Sequence, residues 1–176
     1  MSEVANNRIL RITRLLVFLI MGLIAVAGVV LALVSVILPF FWQEAVQEIA
    51  KQNALMDTQA LLPKLYAIFA LGILTLGLVW TIMRKLLAII DSVAAGHPFV
   101  TANALRLKAI GWSMIGVQIV GIPLAITASE AADLFGDNNV NFDLSINGIL
   151  AILLVFILAG IFERGAEMRE ELEGTV

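Results

Sequence analysis

The chain contains no cysteine. That excludes a disulfide framework, thiolate zinc sites and iron–sulfur ligation, and it leaves the redox compartment undetermined. Histidine is nearly absent too: His97 stands alone, without a second imidazole to help hold a metal. Charge is scarce, at 14% of residues against 61% hydrophobic, where a soluble domain carries about a quarter charged residues. A soluble globule is therefore excluded. The formal net charge is −3, so no basic, nucleic-acid-binding surface is expected either. A length of 176 residues fits one domain, residues 1–176.

What the chain has instead is long apolar runs. Roughly 20 apolar residues cross a bilayer core, and four stretches qualify, at about 15–39, 65–83, 110–127 and 146–162. The first is too long for the h-region of a signal peptide and reads as a signal-anchor. Pro39, Phe40, Phe41 and Trp42 close it with the aromatic rings that favour the headgroup level. The third is the least apolar, and its Pro123 is placed to kink it. Trp80 and Trp112 suit an aromatic belt. Continuous apolar runs exclude the alternating strands of a membrane barrel, so the expected fold is all-α, a four-helix transmembrane bundle.

The basic residues set an expected orientation. Nine of the 11 Lys and Arg fall in three clusters, Arg8/Arg11/Arg14, Arg84/Lys85/Arg106/Lys108 and Arg164/Arg169. Every second gap between spans is thus basic. By the positive-inside rule the bundle runs up-down-up-down with both termini cytoplasmic, in a bacterial plasma (inner) membrane. Residues 84–109 then form the inner connector, 40–64 and 128–145 the outer connectors, and 163–176 a cytoplasmic tail.

Within the outer connector 40–64, Trp42, Val46, Ile49 and Ala50 share a helical stripe. Glu44, Gln47, Glu48 and Lys51 face elsewhere, the pattern of a short amphipathic helix lying on the outer surface. The connector 128–145 gathers Glu130, Asp133, Asp137, Asn138, Asn139, Asn141 and Asp143. Its Gly136 precedes Asp137, which breaks the calcium-loop register, so no metal is expected. Gly22, Ala25, Gly28 and Ala32, with Gly148 and Ala151, let helix backbones approach. They fit intramolecular packing first and a homo-oligomer face second.

The inner connector is the most structured. Leu86, Ile89, Ile90 and Val93 give the second helix an apolar face past the membrane to Ala95. Gly96 is a C′ residue with Pro98 just beyond, a helix stop. Thr101 is placed as the N-cap of the next helix, and Phe99 as an anchor of the turn. His97 reads as a solvated loop residue ahead of a pH sensor or general base. The tail carries Glu163, Glu167, Glu170, Glu171 and Glu173 against Arg164 and Arg169. It is suited to dock on the basic connector or on a partner, although exposed ion pairs are weak.

Gly96, Pro98, Phe99, Asn103, Arg106, Leu107, Ile110, Gly111 and Trp112 compose a G-x-P-F…N…R-L…I-G-W pattern. Asn147 and Gly148 lie in the last-span motif FDLSINGILAIL, and Arg164 and Gly165 in FERGAEMREE. In these features the chain resembles an uncharacterised bacterial membrane family, domain of unknown function 2975. The resemblance covers essentially the whole chain and implies a small four-helix membrane protein with no assigned activity. It also implies, by association, a cytoplasmic helix-turn-helix regulator as partner. Gly96, Pro98, Phe99, Asn103, Arg106, Gly111, Trp112, Asn147, Gly148, Arg164 and Gly165 are the candidate interaction or structural residues.

Three function classes compete. A non-enzymatic regulatory or scaffold protein, contacting a cytoplasmic partner through inner loop and tail, fits the concentration of distinctive residues on that side. A small transporter or exporter of a hydrophobic solute is the alternative. Ion coupling is disfavoured because no span core holds Asp, Glu, Lys, Arg or His. An intramembrane enzyme would want a Ser–His or Ser–Lys pair, paired span Asp residues or metal ligands. None is evident, so neither catalysis nor a cofactor is expected.

Overall fold

The computed structural model describes residues 2–52, 58–134 and 146–174. They form four helices: α1 (Ser2–Gln52), α2 (Thr58–Ala94), α3 (Thr101–Leu134) and α4 (Ile146–Gly174). All four are long and apolar enough to cross a membrane, as the four apolar runs require. Each extends beyond the run that predicts it, because a helix need not stop where hydrocarbon does.

The separate amphipathic helix expected near residues 42–51 is not a separate element. Its residues are the last turns of α1. The expectation treated Pro39 as a boundary, since proline cannot donate to the carbonyl four residues back. That carbonyl belongs to Ser35, and the Tyr66 hydroxyl of α2 donates to it at 3.2 Å. With its orphan acceptor satisfied, the helix runs through the proline. The acidic and amide residues 135–145, where the calcium-loop register is broken and no metal is expected, lie outside the described residues.

The chain divides into two compact units. One comprises 25–77 and 118–144. Its packing is close between α1 and α2. A Cβ added at Gly28 would meet Leu76 at 3.9 Å, and one at Gly72 would meet Leu31 at 3.6 Å. Both are ordinary van der Waals distances, so a methyl group fits at either position. Leu61 and Ala131 are buried there, and Lys64 pairs with the Glu130 carboxylate at 3.0 Å.

The other unit comprises 1–24, 78–117 and 145–176 and draws on all four helices. Val17, Ile89, Ile90, Ala104, Ile110, Ala159 and Ala166 are buried in it, together with one polar residue, Asn103. Outward-facing residues are mostly large and apolar. On its part of α3, Leu105 and Trp112 lie seven residues apart and are 60% and 66% exposed. Large apolar side chains so exposed suit a face solvated by lipid rather than water.

Candidate functional site

Among the described residues the α2–α3 connector holds the densest polar structure. α2 ends as its sequence dictates. Gly96 adopts φ +82°, a left-handed conformation that glycine takes without a Cβ penalty. Its amide donates to the Val93 carbonyl, and the His97 amide donates to the Ser92 carbonyl, both at 3.0 Å. This pair of bonds is a Schellman cap, which uses carbonyls the helix end would leave orphaned. The Ser92 hydroxyl adds a bond to the His97 carbonyl at 2.6 Å.

Asn103, in the first turn of α3, closes the connector. It is wholly buried, and its amide nitrogen donates to Ser92 Oγ at 3.0 Å and to the Pro98 carbonyl at 2.8 Å. Its oxygen accepts from Arg106 Nη1 at 2.7 Å. The same Arg106 nitrogen reaches the Ala88 carbonyl of α2 at 3.1 Å. A guanidinium only donates, so the amide must present its oxygen to Arg106 and its two N–H groups to the turn. One asparagine thus ties the end of α2, the turn and the start of α3 together. Among the described residues no buried side-chain polar atom lacks a partner, as burial of such a group demands.

The connector also docks on α4. The Phe99 ring lies 5.2 Å from the Phe162 ring, centroid to centroid, and covers Gly165. A Cβ there would fall 2.7 Å from Phe99 Cδ1, so only glycine fits beneath the ring. Thr101, the first residue of α3, was expected to cap it. Its hydroxyl instead donates to Glu170 at 3.0 Å, while the Val100 carbonyl accepts the first-turn amide of Asn103 at 2.8 Å. Lys108 pairs with Glu163 at 2.7 Å. Arg169 approaches His97 Nδ1 at 3.4 Å, a contact that holds only with that nitrogen unprotonated. The docking of tail on connector is therefore made by an aromatic seat first and by exposed charges second. On the same unit Arg14 of α1 meets Asp91 of α2 at 3.5 Å.

The expected residues sort by position. Gly96, Pro98, Phe99, Asn103, Arg106 and Gly165 converge on this connector. Gly111 and Trp112 lie farther along α3 around a second ring: Trp112 meets Phe156 edge-on at 5.9 Å. A Cβ at Gly111 would come within 2.8 Å of Phe156 Cζ. Arg164 is exposed. Asn147 and Gly148 sit in the first turn of α4, about 25 Å from Gly165 at 1.5 Å of rise per residue. They do not join the cluster. Ser92, Phe162 and Glu163 do, and none of them is among the site residues expected from the sequence. Their signal is the arrangement of three helix ends, which spacing along one helix does not carry.

Two concavities flank the connector. One, of about 440 Å³, is lined by Thr81, Arg84, Lys85, Ala88 and Arg106. The other, of about 360 Å³, lies among Phe99, Val100, Thr101, Ala102, Ala166, Arg169 and Glu170. No group of three or more acidic or imidazole side chains is placed to hold a metal ion among the described residues.

The model of a family described as "Protein of unknown function (DUF2975)" matches residues 40–176. No curated protein matches, and no solved structure does.

Proposed function

The chain belongs to this family of proteins of unknown function, so its own geometry must carry the functional reading. We propose that it is a non-enzymatic membrane scaffold whose α2–α3 connector and α4 end form a docking platform for a cytoplasmic protein. Positive-inside placement of the three basic clusters puts both termini and this connector in the cytoplasm of a bacterial cell, with the helices running up-down-up-down. The Arg14–Asp91 and Lys108–Glu163 pairs support that placement, because they gather basic-cluster residues of α1 and α3 against α2 and α4.

The observation that carries the reading is the burial of Asn103 with all its partners inside the connector. Joining two helices needs only a few residues and no buried polar network. A network that fixes the turn and seats it on α4 yields a surface of one defined shape, which recognition needs. Along that surface Met168 and Leu172 are 60% and 72% exposed, one turn apart. Exposed Glu167, Glu170 and Glu171 surround them. An apolar centre with an acidic rim suits a basic partner, and the helix-turn-helix regulator implied by the family resemblance is of that kind.

A photo-crosslinking amino acid at position 168 in intact membranes tests the proposal. It should capture a reproducible soluble protein, and Leu172→Glu should abolish the adduct. An empty crosslink profile from this position and from position 172 would sink the scaffold reading. Solute flux in proteoliposomes would then favour the transport alternative.

A further inference from the structure

The concavity lined by Thr81, Arg84, Lys85, Ala88 and Arg106 shares Arg106 with the connector network but includes neither Met168 nor Leu172, the centre of the docking surface just described. Three of its five lining residues are cations and none is an acid. We propose that it is a phosphate-binding site, and that its ligand is the headgroup of an anionic phospholipid.

Arg106 is held from behind. Its Nη1 is occupied by Asn103 Oδ1 and the Ala88 carbonyl, which fixes the plane of the guanidinium. The group has five N–H donors, and the others have no acceptor among the described residues. Arg84 and Lys85 are exposed and carry no ion pair with any described residue. Three positive charges therefore face one concavity without a counter-ion among the described residues, an arrangement that draws an anion into it. A pre-oriented guanidinium matches two phosphate oxygens at once, and a lysine adds a point charge. The volume falls within the usual range for small-ligand sites.

Position decides between sources of phosphate. The apolar run of α2 stops at Met83, so Arg84 and Lys85 mark the boundary of the hydrocarbon, where lipid phosphates are concentrated. Basic pockets between membrane helices at that depth are a recurrent form of anionic headgroup site.

The test uses the full chain in mixed micelles, with native mass spectrometry counting bound lipid. Phosphatidylglycerol, phosphatidylcholine, and inorganic phosphate as competitor form the arms. Phosphatidylglycerol should bind in preference to phosphatidylcholine. Arg84→Gln/Lys85→Gln, which removes no described hydrogen bond or ion pair and should leave the circular dichroism unchanged, should weaken that binding about thirtyfold, the factor expected for two headgroup-level cations. Arg8→Gln/Arg11→Gln, equal in charge removed but outside the concavity, should leave it within about threefold. Competition by millimolar phosphate without lipid preference would support the phosphate site while assigning a free anion as ligand. Equal losses in the two double variants would mean diffuse charge and overturn the site, as would binding indifferent to Arg84 and Lys85.

Discussion

Asn103→Ala removes the residue on which the connector depends, and its cost can be worked from the contacts. The bond from Arg106 is charge-assisted, worth about 2 kcal/mol net, and the two bonds donated to Ser92 and Pro98 are worth about 1 kcal/mol each. Arg106 keeps the Ala88 carbonyl and Ser92 keeps the His97 carbonyl. Both ends also lie near water, so part of the loss is recovered. A destabilisation of about 3 kcal/mol remains, or about two powers of ten in local opening. Hydrogen exchange read by mass spectrometry on the full chain in nanodiscs resolves it, in a peptide spanning the Gly96, His97 and Asn103 amides. Exchange there should rise about 10²-fold, while α1 peptides stay unchanged. Asn103→Asp keeps an acceptor for Arg106 but turns a carboxylate oxygen toward the Pro98 carbonyl, so it should fall between wild type and alanine. Asn147→Ala, on the exposed first turn of α4, should do nothing measurable. If Asn103→Ala exchanges within about threefold of wild type, the buried amide does not hold the connector and the platform argument fails with it.

Gly165→Ala should destabilise the fold by about 1 kcal/mol in detergent unfolding, since overpacking costs about 1–3 kcal/mol and a better helix former returns about 1. Gly111→Ala should cost less, because its Cβ meets the movable tip of the Phe156 ring rather than a ring root; the reverse order would contradict the seat assigned to Phe99. Gly96→Ala has open space around the new Cβ and should lose only the left-handed backbone preference, about 1 kcal/mol, in the same assay. Tyr66→Phe should cost about 1 kcal/mol in the wild-type chain and nothing in Pro39→Ala, whose restored amide bonds Ser35 itself.

Helix existence was legible because a bilayer leaves an apolar run no other satisfied backbone. The end of α2 was legible as well. Gly96 and Pro98 carry their conformations locally, and the structure ends the helix at Ala94, within a residue of the expected stop. Two local readings failed for a common reason, a partner from another helix. Pro39 does not end α1, because Tyr66 supplies the missing donor. Thr101 does not spend its hydroxyl on its own helix, because Glu170 is within reach. The Phe99–Gly165 seat joins residues far apart in sequence, and no periodicity encodes it. Phe99 is legible as an anchor of the turn, but the glycine on which it sits is not.

Arg106 shows why the site itself was hardest to read. Counted as a basic residue at a span end, it enters the positive-inside expectation, and that use needs nothing but charge. Its second use requires the fork of the guanidinium, with one nitrogen bound to both Asn103 and Ala88. In hydrocarbon, outward Leu and Ile side chains give helices little reason to prefer one register, since lipid is as apolar as they are. Register must then come from close approach and from directional bonds. In this chain the described directional bonds between helices gather chiefly at the α2–α3 connector. Residues counted by charge in the positive-inside expectation are for that reason placed to fix the packing, and a substitution that preserves charge but not geometry separates the two roles. Arg106→Lys keeps the positive-inside count yet cannot present the planar fork. It should therefore insert with wild-type topology in a cysteine-accessibility assay while its connector exchanges as fast as in Asn103→Ala. Wild-type exchange in Arg106→Lys would show that charge alone sufficed.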